Sequence, residues 1–306
     1  MELNCTDLSF QAVAVIERDK NGDVLVVWCY PTLGSSIKSV SINRSGLKES
    51  INPPCRSIFS RFGSVWLYQI VAADVDQSAV QNIVSFCILV VSNRYYPEKY
   101  GTACKCLAEI YHLTGSTVQL LDAWMQFLEA YPVERYDLTL FKKLDPFRFF
   151  SIKDVINSFK DDAVYIWSTG TMKKRIALYN ERLSSCLRLI PVLYLFAFCM
   201  QGWNNMRPYV TFSEEEIHDL KLTGTYLAGF TDPKIKERRD LYDLLIYDKE
   251  VIVISESRDF SAERFFRQHL FEYLQDAVQR EEITSMGILE KMREITSTFL
   301  SCPSRF

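Results

Sequence analysis

Apolar runs separated by turn signals recur along most of the chain, and the first of them is the clearest. Ala12 to Ile16 reads as a strand, a charged turn follows with Asn21-Gly22 at its tip, and Val24 to Tyr30 reads as a second strand stopped by Pro31. Asn-Gly between two apolar runs is a strong hairpin signal, because both residues tolerate the positive φ that the favoured hairpin turns require. Val24 to Tyr30 is almost wholly apolar, which predicts cover on both faces and places Trp28 and Tyr30 in a core. A sheet at the start of the chain directs the search towards a binding module rather than a catalytic pocket.

The pattern then continues as a sheet followed by helices. Ser35 to Ser50 is polar with spaced Ile and Val, which suits a short helix and loop ended by Asn52-Pro53-Pro54. Ser57 to Arg61 and Ser64 to Ala73 form a second expected hairpin around Gly63, and a further strand is expected within Val80 to Val91, starting near Phe86. Pro97-Glu98 opens a helix to about Leu113, closed by Gly115-Ser116. Thr117 to Tyr131 predicts another helix with Leu120, Leu121, Trp124, Phe127 and Leu128 on one face. From Tyr131 to Phe150 the periodicity is lost between Pro132 and Pro146, and this stretch reads as a linker.

Beyond it helices and strands alternate. Helices are expected after Ser151, over about 161–172, up to about Met200 and from the capping-box pattern Ser213-Glu214-Glu215-Glu216. Strands are expected at Arg175 to Tyr179, Tyr226 to Phe230, Leu241 to Tyr247 and Val251 to Ile254, and two helices over about 259–281 and 284–300 close the chain. Helices between buried strands imply an α/β lobe with a largely parallel sheet. The predicted organisation is thus residues 1–131, a linker at 132–150, and an α/β lobe at 151–306.

Composition narrows the function classes. The 306 residues carry a net charge of −3 and are 48% hydrophobic, so a sizeable core is available and no basic excess points to nucleic acid. The first ten residues lack the basic and apolar regions of a secretory signal. The longest apolar run, Leu189 to Met200, contains Pro191 and falls short of the roughly 20 residues that cross a bilayer, so any membrane contact is expected to be peripheral. Nine scattered cysteines without a CxxC pair fit a reducing compartment. Cys104 and Cys106 would point to different faces of a helix, which disfavours a metal site.

Chemistry-bearing motifs are scarce. Neither phosphate-binding glycine loop occurs, G-x-S-x-G is missing, and His112, His218 and His269 fall in no ligand pattern. Glu214 to Glu216 reads as negative charge at a helix start, where the dipole favours it. Lys173-Lys174-Arg175 precedes a strand and reads as a solvated edge or a binding patch. The stronger candidate is the loop between Phe230 and Leu241, which carries Asp232, Lys234, Lys236, Arg238, Arg239 and Asp240. Loops after strands of α/β sheets commonly bind, and mixed charge suits protein recognition. Asp232, Lys234, Arg238, Arg239 and Asp240 are therefore the expected partner-contacting residues, the alternative being a solvated helical connection.

Several segments also match a known pattern in order and spacing: VVWCYP, NRYYPEKYGTACKCLAEIY, SIKDVINSF, MKKRIALY, and TGTYLAGFTDP followed by RRDLYDLLI. Together they resemble the small single-module DENN-domain proteins, over roughly Ala12 to Ile254; animal relatives extend past the position of Phe306. The resemblance implies a longin-like antiparallel-sheet lobe followed by an α/β DENN lobe with flanking helices. It further implies binding of a Rab-family GTPase and promotion of GDP-for-GTP exchange, with no cofactor held by this chain. Relatives are associated with Rab27-type GTPases, late endosomes and the coiled-coil subunits of an endosomal recycling assembly. The resemblance thus implies a cytoplasmic protein recruited peripherally to late endosomes, or a non-catalytic scaffold on that assembly.

Overall fold

A computed structural model describes residues 11–48, 57–72, 80, 82–129, 150–199, 203–248, 250–254 and 261–301. The expected linker at 132–150 lies outside them except for Phe150, as do Asn52-Pro53-Pro54 and the cysteines at 5, 55 and 302. The chain divides into two compact units: Met1–Leu144 with Thr211–Asp219, and Asp145–Val210 with Leu220–Phe306.

The first unit is built on a five-stranded sheet in the order β2-β1-β5-β4-β3, comprising β1 (Gln11–Asp19), β2 (Val24–Tyr30), β3 (Ser57–Phe62), β4 (Val65–Ala72) and β5 (Ile83–Ser92). Every neighbouring pair is antiparallel. Successive side chains of a strand face opposite sides, so one strand can feed two cores. Ala12, Ala14, Leu67, Leu89 and Val91 pack with Ile37 and Val40 of helix α1 (Ser35–Ser45). Tyr68 and Phe86 face the other way and meet Tyr100 and Tyr111 of helix α2 (Pro97–Thr114), with ring centroids 5.0 and 5.2 Å apart. Helices on both faces explain why β5 is buried from Ser85 to Ser92, and the strand begins three residues earlier than its apolar run suggested. Helix α2 ends at Gly115, whose φ of 61° is the left-handed cap, and helix α3 (Thr117–Leu128) starts on the Ser116 side chain.

The first hairpin corrects two expectations. Only Gly22 takes a positive φ, of 92°; the Asp19 carboxylate instead holds the tip by accepting from the backbone N–H of Asn21 and Asp23. Strand β2 is also not covered on both faces, because it lies at the sheet edge and pairs only with β1. Leu25 is 63% exposed and Tyr30 44%, while Trp28 is half-buried, so neither Trp28 nor Tyr30 is a core residue.

Thr211–Asp219 belongs with this unit through a buried charge cluster. Glu216 lies in the first turn of helix α7 (Glu214–Thr223) and forms an ion pair with Arg44 of α1 at 2.8 Å, both side chains 1% exposed. The Arg44 guanidinium also donates to Ser60 Oγ and the Arg61 carbonyl, and the carboxylate accepts from Thr211 N and Oγ1. All three guanidinium nitrogens and both carboxylate oxygens are thereby engaged, the condition under which buried charge is tolerated. The sequence reading assigned Glu216 to helix capping; its backbone N–H does reach Ser213 Oγ, but its carboxylate serves this pair.

The second unit holds a sheet in the order β10-β9-β6-β8-β7, from β6 (Arg175–Tyr179), β7 (Met206–Arg207), β8 (Tyr226–Phe230), β9 (Leu244–Tyr247) and β10 (Glu250–Val253). The strands are parallel except for β10, as expected for a largely parallel sheet. Helices α5 (Ala163–Thr171) and α6 (Leu183–Ala197) pack on it, and α4 (Ile152–Phe159), α8 (Ser261–Gln279) and α9 (Ser285–Ser301) pack on these helices and on one another. Helix α4 starts with a complete capping box between Ser151 and Asp154, and the buried Trp167 donates its indole N–H to Thr296 Oγ1 at 2.9 Å. Among the described residues no helix is long and apolar enough to cross a membrane.

Candidate partner-binding site

The charged connection between β8 and β9 contains two short 3-10 turns, Pro233–Glu237 and Arg239–Leu241. Because β8 and β9 both run parallel to β6, which lies between them, the connection crosses from the carboxyl edge of the sheet to its amino edge. Strand β6 spans roughly 13 Å over its four residue steps. The five expected contact residues therefore form a strip instead of a cluster. Asp232 and Lys234 lie near the carboxyl edge, while Arg238, Arg239 and Asp240 approach the amino edge.

Each end is held differently. At the carboxyl edge the Asp232 side chain accepts from the Lys234 backbone N–H at 2.9 Å, and Pro233 follows in the first turn, where its missing donor costs little. Ile235 is fully buried, and the Lys236 ammonium lies 4.6 Å from the Tyr179 ring centroid and 3.5 Å from that of Tyr247. This cation–π contact turns Lys236 inward against the ends of β6 and β9. Tyr242 donates its hydroxyl to the Lys236 carbonyl, and Tyr226 donates to that of the buried Leu241.

At the amino edge Asp240 is the hub. Its carboxylate accepts from Arg238 Nε and a terminal guanidinium nitrogen, both at 2.8 Å, and lies 3.1 Å from the Lys221 ammonium. Hydrogen bonding from Arg238, reinforced by Lys221, holds the Asp240 carboxyl well below the usual carboxylate range and raises the Arg238 pKa in return. Arg175, at the start of β6, donates to the Asp240 carbonyl and pairs with Asp243. Burial pulls the Asp243 pKa up, but the Arg175 hydrogen bonds outweigh it and leave the carboxyl lowered.

The crossover is thus a braced ribbon whose outward charges differ in freedom. Arg238 and Asp240 neutralise one another, and Asp232 is partly spent on its cap. Arg239 is exposed and makes no ion pair among the described residues, and Lys234 keeps 74% side-chain exposure at 3.9 Å from Asp232. Such an arrangement can present fixed charge to a protein surface; it has no nucleophile poised beside a base. Lys221, Tyr179 and Tyr247 were not singled out from sequence, since their roles depend on neighbours brought from other strands; Arg175 was, as part of Lys173-Lys174-Arg175, but not its pairing with Asp243.

Cys87, Cys104, Cys106, Cys186 and Cys199 are buried and inert in setting. Burial pushes the Cys87 and Cys186 thiols up to about 12, and Cys104 and Cys106 are both buried. No group of three or more His, Cys, Asp or Glu that could hold a metal occurs among the described residues.

No family model matches the chain. It is similar to DENN domain-containing protein 10 of Dictyostelium discoideum, at 36% identity over 95% of this chain and 86% of that protein. It is also similar to DENN domain-containing protein 10 of Danio rerio, at 24% identity over the same shares, and of Homo sapiens, at 25% identity over 92% of this chain and 82% of the human protein. The similarity extends across nearly the whole chain and therefore includes both compact units. The chain belongs to the DENN domain-containing protein 10 family.

Proposed function

We propose that this protein binds a Rab-family GTPase of the Rab27 type, accelerates exchange of its GDP for GTP, and does so in the cytoplasm at late endosomal membranes. The observation that carries the reading is family membership along 95% of the chain, combined with the family's resemblance to exchange factors. In it, residues 1–131 act as the longin-like lobe and 151–306 as the DENN lobe, joined at 132–150. Asp232, Lys234, Arg238, Arg239 and Asp240 contribute to the GTPase contact, with Arg239 and Lys234 the most available charges.

An exchange factor forms and breaks no covalent bond. It binds the nucleotide-free GTPase more tightly than the nucleotide-bound form, and linkage then requires that the GTPase hold nucleotide less tightly in the complex. The magnesium and guanine nucleotide belong to the GTPase, so the chain supplies no cofactor. The test is release of a fluorescent GDP analogue from a panel of Rab proteins at matched concentrations. Acceleration for a Rab27-type member supports the reading; no acceleration for any Rab removes the exchange activity.

A second reading, a scaffold subunit on coiled-coil proteins of an endosomal recycling complex, is favoured by one feature of α3. Val118, Met125 and Leu128 are 76%, 39% and 41% exposed, and with half-buried Leu121 they follow the three- and four-residue spacing of a helix-pairing seam. Stoichiometric co-purification of coiled-coil proteins without a Rab would favour this role over exchange.

A further inference from the structure

The amino edge of the second sheet gathers cationic side chains from three places in the sequence. Lys173 and Lys174 precede β6, Arg175 begins it, Lys221 lies in the last turn of α7, and Arg238 and Arg239 sit on the crossover. Contacts tie these segments together: Thr225 Oγ1 donates to the Lys173 carbonyl, Arg175 reaches Asp240 and Asp243, and Lys221 and Arg238 both reach Asp240. Among the described residues these contacts place Asp240 and Asp243 on this edge, with Glu237 beside Arg238 in sequence, against six cations in a chain whose net charge is −3. The first two acids are bound up in the pairs just named. Lys173, Lys174 and Arg239 make no side-chain hydrogen bond or ion pair among the described residues; Lys173 and Arg239 are exposed, and the half-buried Lys174 lies in the field of Asp243. Beside Lys221, Leu222 stands 73% exposed at the end of α7, next to the start of β8.

We infer that this edge docks on an anionic lipid bilayer. Lys173 and Lys174 on one loop and Arg239 on another suit a diffuse field of headgroup charge. An exposed aliphatic side chain at the rim of such a patch can enter the headgroup boundary, which adds the apolar term that peripheral attachment uses. Arg238 and Arg239 adjoin the GTPase contact proposed above, whereas Lys173, Lys174 and Leu222 lie outside it, so variants at those three test the membrane contact separately from exchange.

The test is flotation of the purified full chain with phosphatidylcholine vesicles that contain or lack phosphatidylserine. Binding is expected only with the anionic lipid and should weaken as salt rises. A double variant, Lys173→Asn with Lys174→Gln, keeps a residue tolerant of the left-handed backbone at position 173, where φ is 56°. It should bind about 25-fold more weakly, at about fivefold per cation removed, with an unchanged melting temperature. Leu222→Ser should weaken binding while preserving its salt dependence. No binding of the wild-type chain to anionic vesicles, or equal binding by the double variant, overturns the inference. Retention on immobilised poly-glutamate without vesicle binding overturns it in favour of an acidic protein partner. The vesicle assay contains no Rab, so its failure leaves the exchange reading standing.

Discussion

Glu216 sits three residues after Ser213 in a pattern that reads as helix capping, yet its carboxylate is enclosed with the Arg44 guanidinium, 172 positions earlier in the chain. Removing one member leaves the other charged and buried. Arg44→Met is therefore expected to destabilise the protein by about 3–5 kcal/mol in chemical denaturation, and replacing both members by apolar residues should cost less than either single change. Nothing local in the sequence marks this pair, because its partners meet only after the sheet and α7 have come together. Asp243 offers a test at acid pH. Its folded pKa is lowered, so its contribution is fully present above the unfolded carboxylate value of about 4 and is lost as pH falls through the folded value. The stability gap between wild type and Asp243→Asn should thus shrink on acidification below about pH 4; a gap independent of pH would contradict the pairing with Arg175.

At the scale of elements, runs with a clear period or a clear stop were legible. The sequence limits of β6 and β8 match the structure, as does the Pro97 start of α2, because polar residues flank the two apolar runs and a proline opens the helix. The edge position of β2 was not legible. An apolar run states what a strand can bury, whereas exposure depends on how many neighbours it has, and β2 has one. Two glycines were likewise silent in sequence. A Cβ on Gly229 of β8 would strike Ile190 Cδ1 and the Pro208 carbonyl oxygen, and one on Gly170 of α5 would lie 2.6 Å from the Ala197 carbonyl carbon. Both positions allow α6 and the segment after β7 to approach their neighbours closely. Gly229→Ala should cost at least about 1–3 kcal/mol through forced displacement, read as a lowered denaturation midpoint.

For the whole molecule, the charged crossover was found from sequence, but its layout was not. Charge composition marks residues 231–241 as a surface; only the parallel pairing of β6 with both β8 and β9 stretches them across the sheet and divides braced charges from free ones. This division refines where a GTPase contact should be sensitive. Arg239→Glu removes an exposed charge with no ion pair among the described residues and should weaken partner binding while leaving the melting temperature nearly unchanged. Arg238→Glu would also disturb Asp240 and Lys221, so its effect mixes binding with local structure. The measurement closest to the central claim is the dissociation constant of the full chain for one Rab27-type GTPase, in its nucleotide-free and its GDP-bound forms. Exchange activity requires tighter binding to the nucleotide-free form, by about tenfold or more, a difference of about 1.4 kcal/mol. Equal dissociation constants would contradict the account, since a ligand with equal affinity for two states shifts neither.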